Sequence, residues 1–124
     1  MSRFLLVDDQ ADIRKLVRLT LEFEAHEISE AGDGEAALAL AAGVRPDLVL
    51  LDVMMPGALD GFEVCRRIKA DPLLAGTRVV LLTARAQPED LAAAARCGAD
   101  LYLAKPFSPL QLLQAVGRMC GGAD

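Results

Sequence analysis

Four short apolar runs punctuate the chain: Phe4 to Val7, Leu48 to Leu51, Val79 to Leu82 and Leu101 to Ala104. Each is rich in Val and Leu and too short for a buried helix, so each reads as a strand covered on both faces of a parallel sheet. Stretches of helical period lie between them. From Gln10 to Phe23 the apolar residues Ile13, Leu16, Val17 and Leu21 recur on one stripe, beneath an exposed Arg14, Lys15 and Arg18. His26 to Ala31 has Ile28 as its only strongly apolar member and predicts a less buried second strand. Asp33 is placed to cap a helix through Glu35, Ala36, Leu38 and Leu40 that stops at Gly43.

Met54 to Leu59 is a loop signal. Asp60 and Glu63 then form a capping-box pattern opening a helix over Gly61 to Ala70, which Asp71-Pro72 ends. Pro88 suits a first helical position, followed by Glu89 and Asp90 near the positive end of the helix dipole and by a slim Ala92 to Ala95. Ser108 and Gln111 make a second capping box for a last helix that ends near Cys120. This five-fold alternation predicts an α/β fold, a three-layer, doubly wound parallel sheet with helices on both sides. Periodicity alone leaves the strand order open.

Composition narrows the picture. The 124 residues fit one domain, taken as 1–120 with a short tail at 121–124, and are 53% hydrophobic and 25% charged. No apolar stretch approaches the roughly 18 residues that span a bilayer. Met1 to Val7 is too short and too soon acidic for a secretory signal, so a cytoplasmic protein without membrane contact is expected. A net charge of −5 argues against a nucleic-acid-binding face on this domain. The one basic cluster, Arg66, Arg67 and Lys69, is expected on an exposed helix face. Cys65, Cys97 and Cys120 lack any metal or CxxC spacing and are expected to be buried thiols. His26 is expected to have a surface or packing role.

The residues that end the apolar runs carry the chemistry. They are Asp8-Asp9, Asp52, Thr83 and Lys105-Pro106, and in open α/β sheets ligands bind outside the carboxyl ends of the strands. Acids in the first turn often serve only as helix caps. Three carboxylates gathered with a hydroxyl and an ammonium instead suit a hard divalent cation and a phosphoryl group. Magnesium takes near-octahedral oxygen ligands, often one or two carboxylates plus phosphate oxygens, with Asp9 and Asp52 expected direct and Asp8 through water. A carboxylate nucleophile can form an acyl phosphate, for which Lys105 supplies a cation and Thr83 a hydroxyl. Without the cation the carboxylates repel, so removing one by Asp8→Asn or Asp9→Asn is expected to stabilise the metal-free fold.

The sequence resembles the receiver domain of two-component response regulators, chemotaxis receivers among them, over nearly its whole length. The likeness rests on Leu5 to Asp9, Ala31 to Leu38, Pro46 to Gly57, Asp60 to Val64, Leu82 to Ala84, Gly98 to Asp100 and Lys105 to Phe107. It implies a flavodoxin-like strand order 2-1-3-4-5. It implies that Asp52 accepts a phosphoryl group from a sensor histidine kinase or phosphotransfer protein, with Mg2+ held by Asp8, Asp9, Asp52 and the backbone carbonyl of Met54. Lys105 corresponds to the lysine that contacts the phosphoryl oxygens and Thr83 to the hydroxyl that moves towards them. Tyr102 corresponds to the switch aromatic, and a cis Lys105-Pro106 bond is implied as well.

Such a module is a phosphorylated signalling domain, supporting only its own phosphoryl transfer and autodephosphorylation. The readout is expected on the face of the fourth helix, fifth strand and last helix, where Leu112, Val116 and Met119 would offer an apolar strip to an output domain, a target protein or a second copy in a homodimer. The chain departs from the family in three places. The loop carries Gly57-Ala58-Leu59, one residue more than usual, Gln10 replaces a common third acid, and Met54 and Arg85 occupy variable positions that tune water access. Among other aspartyl-phosphate chemistries, a haloacid-dehalogenase-type phosphatase needs a second aspartate where this chain has Met54. An FMN binder of similar fold needs a Ser/Thr/Gly-rich loop where this chain has Asp8-Asp9-Gln10. A phosphorylation-independent adaptor of the same fold need not keep the full acidic and lysine set.

Overall fold

The computed structural model describes residues 2–22, 27–55, 57–84 and 87–120. Its elements are β1 (Arg3–Val7), α1 (Ala11–Leu21), β2 (Glu27–Ala31), α2 (Gly34–Val44), β3 (Leu48–Asp52), α3 (Gly61–Ala70), a 3-10 turn (Pro72–Leu74), β4 (Arg78–Thr83), α4 (Pro88–Arg96), β5 (Leu101–Ala104) and α5 (Pro109–Cys120). The strands form one parallel sheet in the order β2-β1-β3-β4-β5, as the resemblance implied.

Alternation along the strands sends successive side chains to opposite faces. Phe4, Leu6, Leu48, Leu50, Val80 and Leu82 pack with Val17 and Leu21 of α1 and Leu112 and Val116 of α5. Leu5, Val7, Val49, Leu51, Val79 and Leu81 pack with α2, α3 and α4 through Ala37, Ala41, Val64, Cys65, Ile68 and Ala94. Each fully buried Leu or Val contributes about 1.5–3 kcal/mol, so the three central strands hold the domain together. The sheet edges are less covered: β2 and β5 are mostly half-buried.

Five local expectations need correction. Leu16, placed in the buried stripe of α1, is 45% exposed. Arg14 and Arg18, expected in open solvent, instead share the carboxylate of Glu30 on β2. α2 runs through Gly43 to Val44 and closes on Arg45, which takes the left-handed conformation at φ 51°. Asp60 does cap the Glu63 N–H at 2.9 Å, but Glu63 turns outward to Arg66 and Arg67 rather than back to the cap. Lys69 is not on the exposed face with those arginines: its ammonium donates to the Thr77 carbonyl and pairs with Asp100 at 2.6 Å.

Other expectations hold. Asp33 accepts from the Ala36 N–H, and Ser108 and Gln111 form a reciprocal capping box at 2.8 and 3.1 Å. Cys65 and Cys97 are buried thiols. The Lys105-Pro106 bond is cis. His26, Pro56, Arg85, the Cys120 side chain and the 121–124 tail lie outside the described residues.

Candidate functional site

The first three chemical groups are assembled by strand register. Val7 pairs with Leu51, so Asp8, one residue on, stands beside Asp52, and Asp52 in turn pairs with Leu82, the residue before Thr83. Thr83 pairs with Ala104, which precedes Lys105, and the Lys105 N–H donates to the Thr83 carbonyl at 2.7 Å. The carboxyl ends of four strands thus deliver the predicted residues to one rim.

Asp8, Asp9 and Asp52 each offer an oxygen within 4.8 Å of the others. Asp8 and Asp52 are buried, 3% and 4% exposed, and Asp9 faces solvent. Lys105 Nζ sits 2.9 Å from Asp8 Oδ2 and 3.3 Å from Asp52 Oδ1. Asp8 Oδ1 also accepts from the Gln10 N–H at 2.9 Å. Burial, then the charge of Asp8, pushes the Asp52 carboxyl above its ordinary range, against the pull of Lys105 and of a backbone hydrogen bond at Met54. Burial works against the Lys105 ammonium, yet its bonds and charge contacts with Asp8 and Asp52 push it up overall. The ammonium thus pairs with two of the three acids, leaving an excess of negative charge and hard oxygen donors suited to a divalent cation.

Thr83 is buried, 1% exposed. By strand alternation it lies on the α3–α4 side of the sheet, as does Tyr102, which is half-buried and packs against that core. Two features of the rim were not singled out from sequence. Gly61 is where α3 begins against β3: a Cβ there would lie 2.4 Å from the Asp52 carbonyl oxygen, and the Gly61 N–H bonds Val53 O at 3.0 Å. Only glycine lets the helix start this close to the acid. A Cβ on Gly34 would lie 2.8 Å from Leu59 Cβ, so Leu59 packs onto the start of α2. Arg14 is the second missed feature, donating to the Asp8 carbonyl oxygen at 2.5 Å.

A doubly wound parallel sheet with three acids, a lysine and a buried threonine gathered on its carboxyl rim is the arrangement of a signalling receiver domain, and the likeness to known proteins bears out that class. The response regulator receiver domain model matches residues 4–117, and the chain belongs to that family. It is 40% identical over 123 residues to the phosphate regulon transcriptional regulatory protein PhoB of Pseudomonas aeruginosa, covering 97% of this chain and 53% of that protein. It is 40% identical over 115 residues to the DNA-binding response regulator MtrA of Mycobacterium tuberculosis, covering 93% and 49%. The solved structure of the Vibrio cholerae chemotaxis protein CheY4 superposes with a TM-score of 0.89 at 35% identity, covering 96% of this chain and 98% of that one. The chain spans about half the length of the curated relatives it matches. Among the described residues no helix is long and apolar enough to cross a membrane.

Proposed function

We propose that Asp52 is the phosphoacceptor of this receiver domain, and that a histidine kinase or phosphotransfer protein in the cytoplasm is its donor. The observation that carries this reading is the placement of Lys105 between Asp8 and Asp52, beside a third acid, at the end of a fully buried strand. In the transfer, an Asp52 oxygen forms a bond to phosphorus as the donor's nitrogen–phosphorus bond breaks, and the imidazole leaves with that electron pair. Lys105 then moves from the carboxylates to the phosphoryl oxygens, and the Thr83 hydroxyl donates to the same group. Asp8, Asp9, Asp52 and the Met54 carbonyl are the residues that would hold Mg2+. Bound there, the ion supplies charge neutralisation between the acids and the incoming phosphoryl group.

The consequence for signalling is a population shift. Thr83 drawn towards a phosphoryl group leaves room on the α3–α4 side for Tyr102, and α4, lined by Ala92 to Ala95, repacks cheaply. The apolar strip expected from Leu112, Val116 and Met119 does not serve as this output face: Leu112 and Val116 are buried against the sheet and Met119 packs on the same cluster. The face instead offers a cleft of about 610 Å³ between β5 and α5, bounded by Tyr102, Gln111, Gln114 and Arg118. An output domain, target protein or second copy would dock there.

Incubation with acetyl phosphate and Mg2+ should add one acid-labile phosphoryl group by intact mass spectrometry, and Asp52→Asn should abolish it. Undiminished labelling of that variant overturns the assignment.

A further inference from the structure

We infer that Arg14 is a positioning residue for the acidic site, a role that rests on the metal-binding reading above. Arg14 projects from the first turn of α1 and touches no carboxylate of the trio. Its Nη1 donates to the Asp8 main-chain carbonyl at 2.5 Å, while its Nε is held by Glu30 Oε1 at 3.0 Å. Glu30 is in turn held by Arg18, which also donates to the Ile28 carbonyl. The guanidinium is therefore fixed from the β2 side and reaches across to the peptide that joins Asp8 to Asp9.

That peptide needs a fixed partner. β1 ends at Val7, where its ladder with β2 closes through the Asp8 N–H on Ala31 O at 3.1 Å. α1 begins only at Ala11, and its first hydrogen bonds go to Gln10 O. The Asp8 carbonyl falls between strand and helix, on a residue only 3% exposed. A buried carbonyl without a donor is costly, and a charged donor holds it more firmly than a neutral one. With its carbonyl oxygen pinned by Arg14, the Asp8–Asp9 peptide plane is set, and with it the directions in which both side chains leave the backbone. Arg18 shares Glu30 but does not touch Asp8, which supplies an internal control.

The sign of the effect separates positioning from charge. A guanidinium near three carboxylates repels a dication, so a purely electrostatic role predicts tighter Mg2+ binding once the charge is removed. Positioning predicts the reverse, of the roughly tenfold size seen when partners behind metal ligands are lost.

The test is an amide chemical-shift titration of the chain with MgCl2 and no phosphodonor, with a thermal scan of each variant. Arg14→Met should weaken Mg2+ binding about tenfold, Arg14→Lys should stay weak because an ammonium does not bridge both oxygens, and Arg18→Met, which removes one hold on Glu30 and no contact to Asp8, should weaken it by less than about twofold. Arg14→Met binding as tightly as the wild type or more tightly overturns the proposal, as does equal weakening in Arg18→Met. If Arg14→Met does not fold, Glu30→Gln decides: about threefold weaker binding supports the role and unchanged binding ends it. A wild-type chain that does not bind Mg2+ at all brings down the metal reading itself, along with this role.

Discussion

The two ends of the sheet treat their charges in opposite ways. At the amino ends of the strands, carboxylates are matched. Asp47 accepts from the Arg3 N–H at 2.8 Å, and Asp100 accepts from the Val79 N–H at 2.8 Å and pairs with Lys69 at 2.6 Å. Lys69 and Thr77 close the same end by donating to the Thr77 and Pro46 carbonyls. At the carboxyl ends three acids crowd together, and two of them, Asp8 and Asp52, share the Lys105 ammonium. Charges satisfied by hydrogen bonds stabilise a fold, whereas like charges held together by a rigid core cost it stability and wait for a ligand. The central strands, anchored at the matched end, supply the rigidity that keeps the unmatched end assembled.

The contrast breaks or stands on a pair of substitutions. Asp100→Ala removes the acceptor of the Val79 N–H and the partner of Lys69, and should lower the free energy of unfolding in urea by about 2–3 kcal/mol. Asp52→Asn should change it in the other direction, by about 1 kcal/mol at neutral pH, because burial and Asp8 already hold the Asp52 carboxyl above its ordinary range. Asp52 is a better position for this test than Asp8, because both carboxylates touch Lys105 but the contact of Asp52 is the longer, 3.3 Å against 2.9 Å, so less attraction is lost along with the repulsion. Equal destabilisation by both substitutions would show that the two ends are energetically alike.

Lys105→Met sharpens the comparison at the rim itself. With the ammonium gone, the buried Asp8 and Asp52 lose the cationic partner they share. Stability in EDTA should fall by about 1–2 kcal/mol, since the bonds that raise the lysine's affinity for its proton are the ones lost. Mg2+ should restore more stability to this variant than to the wild type, where a concentration ten times the dissociation constant contributes about 1.4 kcal/mol. An equal Mg2+ increment in both chains would mean that lysine and cation do not compete for the same charge.

Legibility from sequence followed the same division. The strands, their carboxyl-end residues and the doubly wound architecture were readable because buried parallel strands are continuous apolar runs and the chemistry sits where those runs stop. Failures came where tertiary contacts decide. Arg14 and Arg18 have the spacing of a solvent face, yet the half-buried β2 offers Glu30 across the groove. Leu112 and Val116 look like an outward strip only if α5 is viewed alone, since the sheet face they cover belongs to residues distant in the chain. Gly43 resembles a helix end, but the chain turned two residues later at Arg45, whose N–H bonds back to Ala41 O at 2.9 Å. The Gly61 requirement arises from a close approach to β3, for which no local pattern exists.

Glu30 gives the smallest effect and the finest cut, because it is a matched charge close to the unmatched rim. The hydrogen bond from Arg18, helped by Arg14 and opposed by burial, holds its carboxyl below the ordinary value of 4.5. A carboxylate favoured in the folded state adds stability that is complete above the unfolded value and is lost as pH falls through the lower folded one. Wild-type stability should therefore decline on this account from about pH 4.5 downward, and Glu30→Gln should remove that part of the decline. Its size is on the order of 0.5 kcal/mol, as expected for a partly exposed ion pair, and it should shrink in salt. Asp52 acts with the reverse sign over the acid range, since protonation removes a buried charge and, with it, the repulsion from Asp8. Urea denaturation between pH 3 and 7 on the wild type, Glu30→Gln and Asp52→Asn separates the two: the first substitution flattens the acid limb and the second steepens it. If both variants follow the wild-type curve, neither charge is coupled to folding as the geometry requires.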